Sequence, residues 1–122
     1  MIEELLRQDR ELKRARLNSE TAKIPWLELQ RFFAAGKVMR VAAELDLVEV
    51  AYAMEQDDVE QVKEWTLASQ LEPVSDNQAR QWIDGQASLW AVVVKPWVLV
   101  QEPHQGRPAA DEDLYSRDTA GS

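Results

Sequence analysis

The stretch Leu89-Trp90-Ala91-Val92-Val93-Val94-Lys95-Pro96-Trp97-Val98-Leu99-Val100-Gln101 decides the architecture of this 122-residue chain. Simple alternation puts Trp90, Val92, Val94, Val98 and Val100 on one side and Ala91, Val93, Trp97 and Leu99 on the other, so neither side suits water. Such a strand must be covered by other elements on both sides, or on one side and at an interface. The β-branched residues favour strand over helix, and Pro96, which lacks an N–H, argues against one uninterrupted central strand. The chain is therefore expected to turn or bend at Lys95-Pro96. A two-residue type I′ turn is excluded, because it needs positive φ at both positions and proline holds φ at about −65°. A looser turn with Pro96 at its second position and a cis-proline turn both remain open.

Upstream of this core, periodicity predicts helices alternating with short strands. Residues 1–17 place Ile2, Leu5 and Leu6 at helical spacing and set opposite charges three and four apart, as in Glu3/Arg7 and Asp9/Lys13. This helix is expected to stop at Asn18-Ser19, and its thin apolar stripe after Leu6 predicts fraying or a need for something to dock on. In residues 21–36, Pro25 suits a first helical position and Gly36 the position just past a helix end. Trp26, Leu29, Phe32 and Phe33 then form one buried stripe. Residues 38–41 read as a short strand.

Residues 44–55 fit two periods. As a helix they gather Leu47, Val50, Ala51 and Met54 on a face free of Asp46, Glu49 and Glu55; as a strand they put a charge on each face, so helix is preferred. Asp57-Asp58-Val59-Glu60 opens a further helix carried by Val59, Val62 and Trp65. Pro73 makes 71–74 an edge strand, and Ser75-Asp76-Asn77-Gln78 is a capping box for a helix through Ala79, Trp82 and Ile83 to Asp84-Gly85. A faint echo at an offset of 33 pairs Leu29 with Val62, Phe32 with Trp65, Val38 with Leu71 and Val41 with Val74, repeating the order helix, strand, helix. These elements predict an α+β fold: one small domain with four to five helices on a small, mostly antiparallel sheet. The expected division is a charged amino-terminal helix at 1–17, the domain at 18–102 and a polar, disordered tail at 103–122.

Composition narrows the function classes. There is no cysteine, which removes thiolate nucleophiles, disulfides and cysteine-bound metals, and the single histidine, His104, lies in the polar tail. No catalytic, cofactor-binding or metal-ligating residue is therefore assigned. The net charge of −8 speaks against nucleic acid as a partner; residues 1–17 hold five cations against four acids, a mixed-charge helix face. The longest apolar run is too short to span a bilayer and the amino terminus lacks a signal-peptide pattern, so a cytoplasmic protein is expected. The cluster Glu55, Asp57, Asp58 and Glu60 could be read as metal ligands or paired carboxylates, but helix capping accounts for it more simply.

Two segments, 21–36 and 89–101, together with 45–51, Asp57-Asp58 and 78–82, resemble a family of short bacterial proteins known only as a domain of unknown function. The likeness covers about residues 17–102 and leaves out the amino-terminal helix and the tail. It implies a free-standing bacterial domain and carries over no activity or site residue.

Two functional expectations follow. The first is a non-enzymatic protein-interaction module, self-associating or binding another chain through sheet edges or a surface formed by Trp90, Pro96 and Trp97. Helices on only one face of the sheet would leave the other apolar face wanting a partner. The alternative is a binder of an anionic small molecule, or an enzyme using carboxylates and arginines, if the fold gathers Arg31, Arg40 or Arg80 in a pocket with a tryptophan.

Overall fold

The computed structural model describes residues 1–103; the tail expected beyond them, with His104, lies outside the described residues. The order is α1 (Ile2–Glu20), β1 (Ala22–Pro25), a 3₁₀ turn (Trp26–Leu29), α2 (Gln30–Ala34), β2 (Val38–Val41), α3 (Leu47–Glu55), α4 (Val59–Leu67), β3 (Leu71–Pro73), α5 (Asp76–Asp84), β4 (Ser88–Val94) and β5 (Trp97–Gln101). The strands form one mixed sheet in the order β1-β4-β5-β2-β3. β4 and β5 are its central antiparallel hairpin; β1 flanks β4 antiparallel, β2 runs parallel to β5, and β3 closes the far edge antiparallel to β2. The fold is the expected α+β domain, with five helices packed on the sheet.

The Lys95–Pro96 peptide is cis and the turn is tight, with Val94 directly opposite Trp97. That pairing corrects the side assignment across the turn. Residues opposite each other share a face, so Trp97 and Leu99 lie with Trp90, Val92 and Val94, while Val98 and Val100 lie with Leu89 and Ala91. Each side then has its own core. One packs Leu89, Ala91, Val98 and Val100 against Trp26 and Leu29 of the 3₁₀ turn and Ala79 and Trp82 of α5. The other packs Val92, Val94 and Leu99 against Leu17 of α1 and Leu47, Val50 and Ala51 of α3, with Val62 and Trp65 of α4 at its margin. The chain therefore covers both faces itself, and the apolar face expected to want a partner is filled by its own helices. On the first side, Trp26 meets Trp82 edge-to-face at 4.9 Å and Phe33 at 5.5 Å, each worth about 0.5–1.5 kcal/mol beyond area burial.

Several local expectations are corrected. Residues 22–25 form an edge strand, and Pro25 ends it instead of opening a helix; a 3₁₀ turn follows, and the α-helix starts only at Gln30. α1 runs to Glu20, past Asn18-Ser19, because Leu17 is fully buried and holds the last turns on the core. Ser75 accepts from the Gln78 N–H at 3.0 Å, but the Gln78 amide turns to Gln81, so only half of the capping box is present. The echo at 33 keeps its element order but not its geometry: Phe32 packs on one core and Trp65 on the other.

Helices α2 to α5 all end alike. In α3, for example, the Asp57 N–H donates to Met54 and the Asp58 N–H to Ala53, and the same nested pair recurs at Gly36, Ser69 and Gln86. Each of those four residues has positive φ, yet only one is glycine. These tight ends let α3 turn directly into α4 beside the hairpin.

Candidate interaction surface at the hairpin tip

The three residues expected to form one surface are separated by the hairpin register. Trp90 pairs with Gln101 at the open end, whereas Pro96 and Trp97 sit at the turn. Trp90 is half-buried with the Lys23 ammonium 5.8 Å from its ring centre. Trp97 has Lys37 at 5.9 Å in the same relation. Pro96 and Trp97 are joined instead by Val94 of the hairpin and by residues from the α3–α4 corner: Met54, Val59 and Val62 complete an apolar hollow of about 510 Å³, lined also by Asp57, Asp58, Lys63 and Lys95. Val59 is 69% exposed at its mouth. A second hollow of about 540 Å³ adjoins the first, sharing Met54, Asp57, Val94 and Lys95 with it and extending to Arg16, Glu20 and Val93. Nothing local in the sequence points to Met54, Val59 and Val62, since their proximity to residues 94–97 is created by the packing of α3 and α4 on the sheet.

The acidic cluster is dispersed into structural tasks. Asp58 caps α4 by accepting from the Gln61 N–H at 3.2 Å, Asp57 holds the positive-φ corner, and Glu55 binds Arg16 of α1 at 2.5 Å. The hydrogen bond and charge of Glu55 raise the pKa of Arg16 above its ordinary value. Among the described residues no group of three or more His, Cys, Asp or Glu is placed to hold a metal ion.

The arginines are not gathered at the tip. Arg40 lies between Glu72 at 3.3 Å and Glu102 at 3.5 Å, and Glu102 also accepts from the Trp82 indole N–H at 3.3 Å. Arg31 stacks over Phe32, with 5.0 Å from its guanidinium to the ring centre, and Arg80 is exposed on α5. None of the three lines either hollow. The sheet edges are poor templates for another strand: β1 is four residues with Lys23 and Pro25, and β3 three residues with Pro73.

A small α+β domain with covered sheet faces and an open apolar hollow at its central hairpin is the class these features define. Residues 12–102 match the family described as "Protein of unknown function (DUF2288)", and the chain belongs to that family. A structure titled "NMR solution structure of PA1075 from Pseudomonas Aeruginosa" is similar over 78% of this chain and 88% of that one, at 45% identity and a TM-score of 0.68. Comparison with curated proteins gives no match.

Proposed function

We propose that the protein is a non-enzymatic interaction module of the bacterial cytoplasm and that the hairpin tip receives a partner protein chain. The observation that supports this is the hollow beside Pro96 and Trp97, an apolar floor opening at the exposed Val59 with charges of both signs in its lining. Its contents suit burial of an apolar side chain and include no nucleophile paired with a base. The net charge of −8 favours a protein over a nucleic acid. The anionic-ligand reading stands second, because Arg40 is already neutralised by two carboxylates.

The test is capture from a bacterial lysate by the full chain and by Val59→Glu, followed by hydrogen exchange on the purified complex. Retention by the wild type alone, with protection at 54–63 and 94–97, is expected. Equal retention by both baits, or a small anion co-purifying in native mass spectra with no protein partner, would overturn it.

A further inference from the structure

We infer that the amino-terminal part of α1 is a self-pairing arm, which takes the same segment of a second copy of this chain in antiparallel orientation about a two-fold axis near Leu6. Only the end of the helix is anchored. Leu17 is fully buried, and Arg14 and Arg16 reach Glu49 and Glu55 of α3 at 2.8 and 2.5 Å. Residues 1–12 are all exposed, and Ile2, Leu5, Leu6 and Leu12 put 54–70% of their surface in water. Those four fall on one broad side of the helix, and an apolar side without tertiary cover leaves a helix of this length marginal.

Charge selects the occupant. Arg7 is bound by Glu4 at 2.6 Å and Lys13 by Asp9 at 3.3 Å, whereas Glu3 and Arg10 enter no ion pair among the described residues. Glu3 and Arg10 are seven residues apart, so they lie on one strip of the helix beside its apolar side. An antiparallel second arm whose Arg10 stands level with Glu3 makes that ion pair twice, once at each end. That register puts the axis between residues 6 and 7, so Leu6 comes within one residue's rise, about 1.5 Å, of level with the second copy's Leu6, and Ile2 likewise with its Leu12. A lipid surface suits the arm less well, since residues 1–17 carry five cations against four acids on a chain of net charge −8. This segment lies almost entirely before the family match at 12–102, and it is independent of the hairpin-tip reading.

Two segments about 17 Å long at 1.5 Å per residue bury less than the roughly 1,200 Å² of a stable interface, so a weak, concentration-dependent dimer is expected. Sedimentation velocity on the full chain up to about 1 mM tests it, with circular dichroism to confirm that each variant keeps the domain folded. Leu6→Glu should abolish association. Glu3→Arg or Arg10→Glu alone should raise Kd several-fold, and the two together should restore it, because the charges are then exchanged on both copies. A monomer at every concentration, a dimer indifferent to Leu6→Glu, or a double reversal that fails to recover association would overturn the inference.

Discussion

Gln101, at the end of the central hairpin, holds Leu45 in the β2–α3 connection through a side-chain amide to carbonyl hydrogen bond of 2.8 Å, and donates a second of equal length to Ala42. Gln101 is 2% exposed and is the only buried polar residue among those described. It fixes the loop that delivers α3 onto the sheet. Gln101→Leu keeps similar bulk but removes the amide from both partly buried carbonyls, of which Ala42 keeps the Leu45 N–H at 3.1 Å while Leu45 loses the donor described for it. It should lower stability by about 1–3 kcal/mol in urea titration. An unchanged midpoint would mean that water replaces the amide.

The helix ends give a pair of opposite predictions. Ser75→Ala removes the acceptor for the Gln78 N–H and should cost about 1 kcal/mol. Ser69→Gly should stabilise, by a few tenths to about 1 kcal/mol, because Ser69 sits at φ 60 where a Cβ is strained. Glycine's larger unfolded-state entropy offsets part of that gain. Thermal melts of the two variants should shift in opposite directions; a lower melting temperature for Ser69→Gly would show that its side chain contributes more than it strains.

Glu44 links stability to pH. A hydrogen bond from the Gln70 amide at 3.0 Å, then its own N–H and the Arg40 charge, hold its carboxyl below the usual carboxylate value. A folded-state value below the unfolded one contributes stability above the unfolded value that is lost as pH falls through the folded value. Glu44→Gln keeps an oxygen acceptor and removes the charge. It should be less stable than the wild type at neutral pH, with the difference closing as acidification protonates the Glu44 carboxyl. A gap that persists in acid would assign the effect to something other than ionisation.

The helices with sustained periodicity were legible from residue spacing alone: the Leu47, Val50, Ala51 stripe of α3 and the Ser75 cap of α5 lie where the pattern puts them. β1 was not, for a physical reason. Its four residues contain one large apolar side chain, Ile24, and its identity as a strand comes from pairing with Leu89, some 65 positions away. The assignment of Trp97 and Leu99 to a face failed because it depends on the number of residues in the turn, which alternation cannot supply. The wall of the hollow formed by Met54, Val59 and Val62 is likewise a product of tertiary packing.

The two-sided cover of the sheet leads to a contrast between neighbouring strands. Val93 is 53% exposed near the hairpin turn, whereas Leu99, on β5 between β4 and β2, is fully buried in the core with α3. A glutamate at position 93 can keep its carboxylate in water, so Val93→Glu should fold, with a loss within about 1 kcal/mol. At position 99 the carboxylate must either enter the core charged or be protonated there, and the lost packing of leucine adds to the penalty. Several kcal/mol is a large part of the roughly 5–15 kcal/mol that holds a domain of this size together. Leu99→Glu should therefore be unfolded or molten by heteronuclear NMR at neutral pH, with partial recovery at acid pH where the carboxyl is neutral. If Leu99→Glu instead gave a dispersed, native-like spectrum at neutral pH, the side of the sheet beneath α1, α3 and α4 would be open to solvent, and the self-contained core described here would be wrong.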